Sequence, residues 1–373
     1  MSLRDRWTRL LDNLRIAGRY RELQASSGVD FCSNDYLGYG KENPSKAGAA
    51  LPCSGMASRL LRGNHPIWEH VEAELAAWHG TEACLVMNSG YCANEGVLST
   101  LIGRQDWVAS DQLNHASIID GLRLAQAERF IYRHRDLDHL EQGLAQAART
   151  RAADRQLFIV TESLFGMDGD TAPLSELVRL AEQYSAHLIV DEAHATGCFG
   201  DSGAGCIELA GVRRQILASI HTGGKALGVP GAYVCGSRLL RELLVNCCRH
   251  FIFTTALPPA AAVWWLDAIR RVRQDDDRRL KLHRHAESFR KALQAQGLDC
   301  GGRHYIVPVI LGADEQAVSA ARQLQAQGWD IRAIRPPTVP TGTARLRISI
   351  HADHDESTLA EVAAALAALI RSP

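Results

Sequence analysis

Apolar residues along this chain follow two different periods. Leu3, Trp7, Leu10, Leu11 and Leu14 recur at helical spacing, which predicts an amphipathic helix over about 3–24 whose apolar face must dock on something. Pro66 stands at a first helical position and opens a second helix through Trp78. Short apolar runs then follow at 83–88, 106–109, 129–132, 157–161, 187–191, 215–220 and 231–236, most of them separated by segments of helical period. Such alternation predicts an α/β fold with a mostly parallel sheet covered on both faces. After "TTALPP" the texture changes: helices over about 260–273 and 276–297, strand 305–311, helix 315–327, short strand 330–334, strand 343–350 and helix 356–370. The expected organisation is an N-terminal helical segment over 1–40, a large α/β domain over 41–270 and a smaller α+β domain over 271–373.

Composition narrows the chemistry. A formal net charge of -1 over 373 residues leaves no electrostatic footprint for nucleic acid. No apolar run approaches membrane-spanning length, and the opening "MSLRDRWTRLLDNLR" lacks the apolar core of a signal peptide, so a cytoplasmic protein is expected. None of the ten cysteines forms a C-x-x-C pair; Cys84 and Cys235, inside apolar runs, read as reduced, small core residues. "DDDRR" at 275–279 and "HRHAE" at 283–287 read as solvated helix faces, and no metal site is expected.

One lysine stands apart. In "HTGGKALG", Lys225 is surrounded by glycines, but Ser219 six positions earlier and Ala226 just after it rule out a Walker A phosphate loop. A loop lysine open to solvent is the ordinary reading, and context has to displace it. That context is "HLIVDEAHATG": Asp191 lies where an apolar strand ends, and His194 three residues on can reach the same crevice. Lys225 follows the next strand and emerges at the same edge.

A carboxylate, an imidazole and a lysine at one crevice suit pyridoxal phosphate. Lysine forms a Schiff base with the aldehyde, the aspartate keeps the pyridine nitrogen protonated, and the imidazole can bond the phenolic oxygen. The strand-to-helix turn "NSGYCANEG", with Gly90 permitting close approach, offers backbone donors for the phosphate, and Thr222 adds a hydroxyl. His115 in "LNHASIIDG" sits at a loop-to-helix start, where a flat imidazole can stack on the ring. By itself His115 reads as a structural histidine or a cap; within this set it reads as the ring's platform.

The stretches "FCSNDYLGYG", "SRLLRGN", "NSGYCANEG", "LNHASIIDG", "TESLFGMDGDTAPL", "VDEAHATGCFGDSGAG", "HTGGKALG", "FIFTTALPP" and "IRPPTVPTGTARLRISI", in this order, resemble the α-oxoamine synthases. These are fold-type I pyridoxal phosphate enzymes, and the resemblance covers almost the entire chain. It implies a mostly parallel seven-stranded sheet. "SRLLRGN" and "IRPPTVPTGTARLR" are most similar to the member that joins L-alanine to a pimeloyl thioester, of CoA or an acyl-carrier protein, in biotin synthesis. Sister enzymes use glycine or serine with other acyl-CoA thioesters, and a non-catalytic subunit of this fold is the reading from another class.

By this resemblance Lys225 is the covalent anchor and base, Asp191 the pyridine-nitrogen partner, His194 the phenolic-oxygen partner and His115 the stacking ring. Gly90 and Tyr91 supply phosphate amides and Thr222 a hydroxyl, while Thr255 reaches the phosphate of a neighbouring subunit, which implies a homodimer with shared sites. Arg347 matches the arginine that holds the amino-acid carboxylate, Asn34 lies near that substrate, and Arg21 and Thr338 match acyl-substrate contacts. Read without the resemblance, Arg21 is a surface charge, Thr338 a turn residue, and one of Arg345 and Arg347 could face solvent. Gly166 departs from the pattern, which usually has serine there, and replacing it by serine is expected to be tolerated.

Overall fold

The computed structural model describes residues 1–42, 50–150, 152, 154–298 and 300–371. Two compact units emerge: Leu37–Gly166 with Thr171–Leu280, and Met1–Tyr36 with Met167–Asp170 and Lys281–Pro373.

The first unit is built on the seven apolar runs. They form strands β1 (Ala83–Met87), β2 (Trp107–Asp111), β3 (Glu128–Tyr132), β4 (Leu157–Glu162), β5 (Ala186–Asp191), β6 (Ile216–Thr222) and β7 (Ala232–Gly236). One sheet holds all seven, in the order β1-β7-β6-β5-β4-β2-β3, with β7 antiparallel to both neighbours and every other pair parallel. β2 and β4 are buried at every position, as expected of strands covered on both faces. Val97 and Ile118 from flanking helices pack with Leu85, Val108, Val160, Ile189 and Ile220 of the sheet into one apolar cluster. Six of the seven strands, all but β7, therefore deliver their carboxyl ends to one edge, where Asp111, Glu162, Asp191 and Thr222 stand.

One expectation changes here. Cys84 and Cys235 are opposed across β1 and β7 with Cα atoms 4.4 Å apart and are joined as a disulfide, so they are not two separate core thiols. Direct antiparallel opposition brings the two β-carbons close enough to bridge, which sequence separation conceals. The other eight cysteines are free.

In the second unit, β8 (Ile306–Gly312), β9 (Arg332–Ile334) and β10 (Ala344–Ser349) form an antiparallel sheet in the order β9-β10-β8. The N-terminal segment belongs to this unit instead of standing alone: Val29–Asp30 pairs with Trp329–Asp330, and the amides of Ser349 and Ala352 donate to the carbonyls of Phe31 and Tyr36 at 2.8 Å. The boundaries fall after Tyr36 and after Leu280, against expected divisions at 40 and 270. The first helix runs only over Leu3–Ile16, opened by a capping box between Ser2 and Asp5. Residues 17–24 are irregular, and Leu3, Trp7, Leu10 and Leu11 remain exposed. Among the described residues no helix is long and apolar enough to cross a membrane.

Candidate active site

The carboxyl edge of the large sheet gathers the chemistry. Glu162 ends β4 and Asp191 ends β5, directly in register. Asp191 is 5% exposed; its Oδ2 accepts from Asn94 Nδ2 at 2.6 Å and its Oδ1 from the amide of Ala193 at 2.8 Å. Asn94 projects from the helix Gly90–Leu101 and also donates to Ser117 Oγ at 2.9 Å, so two helices fix the carboxylate's plane. The turn after β5 carries the buried His194, and the loop after β6 carries Lys225; His194 Nε2 and Lys225 Nζ are 2.9 Å apart. The lysine is therefore held by an imidazole, not left to solvent.

The predicted phosphate turn lies on the same edge. Ser89 caps the helix Gly90–Leu101 by accepting from the amide of Cys92. A β-carbon at Gly90 would lie 3.6 Å from that of Thr222, so these two predicted phosphate residues are neighbours. Thr222 Oγ1 donates to the carbonyl of Gly231 at 3.3 Å. Tyr91 is exposed, with its hydroxyl on Asp120. Thr255 is exposed, and its carbonyl accepts from Asn88 Nδ2 at 2.7 Å, just before the turn. His115 caps the helix Ala116–Ala125, with Nδ1 held by Ser117, and it shares the electrostatics of the site.

Burial sets the charges. Glu162 is pushed up to about 8, first by loss of water and then by Asp191, with Lys225 opposing. His115, though partly open to solvent, is held below its ordinary value mainly by desolvation; Asp191 opposes this and Lys225 adds to it. Glu192, raised to about 7 by burial, is committed to structure: it accepts from the amides of Cys206 and Ile207 at 3.0 and 3.3 Å. Sequence reasoning missed Glu162, Asn94 and Ser117. The available signal for Glu162 was an acid closing an apolar run, as Asp191 does; its meaning depends on β4 and β5 being adjacent.

Gly166 lies against His194, so the tolerance expected of a serine there turns on that ring. A β-carbon there would sit 2.2 Å from His194 Nε2 and within 3 Å of two ring carbons, so the ring occupies the space a serine needs. Serine cannot enter unless His194, and with it the Lys225 contact, moves.

In the second unit, Arg347 is 5% exposed and donates to Asn34 Oδ1 at 2.8 Å, Tyr36 Oη at 3.1 Å and Ser349 Oγ at 2.8 Å. Its pairing with Asn34 joins two residues predicted for one substrate group. Arg345 does not face solvent either: it is 4% exposed and paired with Asp168 at 2.6 Å. Arg21 and Thr338, predicted acyl contacts 317 positions apart, meet through Nη2 and Oγ1 at 3.4 Å. One buried trio, His79, His221 and Cys235, is close enough to share an ion. Both nitrogens of His221 already bond Thr196 and Ser219, and Cys235 is joined to Cys84, so no metal is assigned.

The donor set fits pyridoxal phosphate: a buried, doubly anchored carboxylate for a ring nitrogen, an amine beside an imidazole for an aldehyde, and a capped glycine turn with a threonine for the phosphate. Comparison with known proteins agrees. The aminotransferase class I and II model matches residues 26–366. The chain is 45% identical over 377 residues to the 8-amino-7-oxononanoate synthase of Chlorobaculum parvum, covering 95% of both, and 46% identical over 348 residues to that of Anaeromyxobacter dehalogenans strain 2CP-1, covering 92% of this chain and 86% of the relative. Among solved structures, serine palmitoyltransferase of S. paucimobilis with bound PLP shares 29% identity at a TM-score of 0.91, covering 100% of this chain and 99% of that one. The 8-amino-7-oxononanoate synthase of Francisella tularensis shares 27% at 0.79, covering 92% and 98%.

Proposed function

We propose, from the premise that this chain belongs to the aminotransferase class I and II family and is a fold-type I, pyridoxal phosphate-dependent acyltransferase, that it condenses L-alanine with a pimeloyl thioester to give 8-amino-7-oxononanoate, CO2 and free thiol for biotin synthesis. The observation that carries the reading is the Lys225–His194 contact beside the anchored Asp191.

The bound cofactor supplies an aldehyde that takes up amines and a protonated ring that withdraws electrons from the attached carbon. The residues do the rest. Asp191, fixed by Asn94 and the Ala193 amide, holds the proton on the ring nitrogen, and Asn94 keeps its carboxylate in plane. Lys225 would be the base for alanine's α-proton, and His194 orients its amine. The alanine α-carbon then bonds the acyl carbonyl carbon as the C–S bond breaks; the departing thiolate takes a proton from water, and after the alanine carboxylate leaves as CO2 Lys225 returns its proton to the α-carbon. Gly90, Tyr91 and Thr222 hold phosphate, His115 stacks on the ring, and Arg347 with Asn34 receives the amino-acid carboxylate. Arg21 and Thr338 contact the acyl group. We further assign Thr255 to the phosphate of a neighbouring copy, in a cytoplasmic homodimer.

The serine palmitoyltransferase likeness, with its higher TM-score, favours a second reading with serine and a longer acyl chain; the 42–46% identity to 8-amino-7-oxononanoate synthases weighs against it. Purified protein loaded with cofactor is expected to release CO2 and thiol from alanine plus pimeloyl-CoA, ahead of glycine or serine with acetyl-CoA or palmitoyl-CoA. No release from alanine with any pimeloyl thioester would sink the leading reading.

A further inference from the structure

His115, Ser117, Asn94 and Asp191 are joined end to end: His115 Nδ1 meets Ser117 Oγ at 2.7 Å, Ser117 Oγ accepts from Asn94 Nδ2 at 2.9 Å, and Asp191 Oδ2 accepts from the same nitrogen at 2.6 Å. Ser117 and Asn94 are as buried as Asp191, so water does not compete along the line. Donor chemistry gives it one direction. The amide of Ser117 donates to His115 Nδ1 at 3.2 Å, and an amide can only donate, so Nδ1 is bare and the ring proton sits on Nε2. The Ser117 hydroxyl therefore also donates to Nδ1 and keeps its lone pairs for Asn94. Asn94 has two amide hydrogens and uses one on Ser117 and one on Asp191. Running the line the other way would turn Asn94 Oδ1 toward the Asp191 carboxylate, oxygen against oxygen.

We propose that Asn94 and Ser117 are positioning residues through which the Asp191 carboxylate locks His115 as the neutral imidazole protonated at Nε2. The inference rests on the cofactor placement proposed above, in which Asp191 meets the ring nitrogen and His115 lies on the ring. A cationic imidazole on a protonated pyridine would set like charge against like charge, and a neutral one avoids this. Burial and Lys225 also favour the neutral ring. Asp191 acts in two senses: its field through space favours the charged imidazole, while through Asn94 and Ser117 it fixes the hydroxyl that favours the neutral one. The other ionisable groups at His115 are Glu162, which hydrogen-bonds its backbone, and Tyr91, whose ring meets it edge-on at 6.1 Å with its hydroxyl on Asp120.

The test is nitrogen NMR of the cofactor-loaded full chain labelled at histidine, with His115 identified by the signals missing from His115→Gln. The unchanged chain is expected to show a bare Nδ1 and a protonated Nε2 at neutral pH. Ser117→Ala, which loses the donated bond, and Asn94→Ala, which frees the hydroxyl to turn, should each move the His115 titration midpoint up by about one pH unit, the equivalent of one hydrogen bond. Ser117→Thr, which keeps the hydroxyl, should restore the original midpoint. A protonated Nδ1 in the unchanged chain, a reading that depends on no variant of the line, would overturn the proposal. So would an unmoved midpoint in either alanine variant, or a threonine variant that titrates like alanine. A lowered thermal midpoint without a change in titration would mean that the line only packs the core, and overturns the proposal equally. The tautomer is read without substrates and also in the chain free of cofactor, so a chain that takes up no pyridoxal phosphate strikes the proposed placement and not the lock.

Discussion

The strand-end cluster of the first unit and an arginine-lined cleft of the second, between residues 15–24, the helix Asp314–Ala326 and β9, treat charge in opposite ways. Asp191 and Glu162 are about 5% exposed or less and are held by short side chains and backbone amides from adjacent strands and helices. Arg21 and Arg322 reach into solvent on long, flexible stems. In the cluster, loss of water amplifies every interaction, so protonation states shift and geometry is preset. In the cleft, solvent screens the charges, so each interaction weakens as ionic strength rises and each side chain matters little to the fold.

The largest expected effect follows from removing the cluster's amine. Lys225→Ala should lower condensation by about 10⁴-fold, the upper range for losing a positioned base, while the thermal midpoint stays near that of the unchanged chain. Product formation and a melting curve measure both; substantial residual turnover would mean that another group abstracts the proton.

Next is Gly166→Ser. Forcing a β-carbon into the His194 ring should cost about 1 to 3 kcal/mol and displace the imidazole from Lys225. The readouts are the thermal midpoint and the absorbance of the bound cofactor across pH. If neither moves, the ring is not held where the Lys225 contact puts it, and the preset geometry attributed to the cluster fails.

Glu162→Gln tests whether burial governs protonation there. Glu162 has a folded value near 8 against an ordinary 4.5, so the folded chain keeps its proton after the unfolded chain has released it. Its contribution is fully present below about 4.5 and is lost as pH rises toward 8. The neutral glutamine, which has no proton to lose, should flatten the decline of thermal stability across that window. A melting series with the same slope in both proteins would show that Glu162 is ionised in the folded state.

The smallest effect belongs to the cleft. Arg21→Ala should change stability by no more than about 0.5 kcal/mol, as exposed substitutions do. It should raise KM for the thioester, read in kinetics at two salt concentrations. A large drop in thermal midpoint would mean that the Arg21–Thr338 contact is part of the fold and would weaken the contrast between the two regions.

Much of this molecule could be read in one dimension. The seven apolar runs became seven strands within about two residues at each end, because burial on both faces of a parallel sheet demands continuous apolar segments. Lys225, Asp191 and His194 were legible because each follows or ends such a run, and position at a strand's carboxyl end is nearly a local property. Strand order is not. β4 beside β5 brings Glu162 next to Asp191, β1 beside β7 joins Cys84 to Cys235, and return of the N-terminal segment to the last third of the chain brings Arg21 to Thr338. Gly166 shows the same limit at atomic scale: the motif marked it as unusual, but only the packed turn shows that the His194 ring takes the missing side chain's place. Hydrophobic period specifies which face of an element is buried. Which neighbour covers that face is decided by packing between segments far apart in the chain, and charge pairing, clashes and cross-links appear only when that choice has been made.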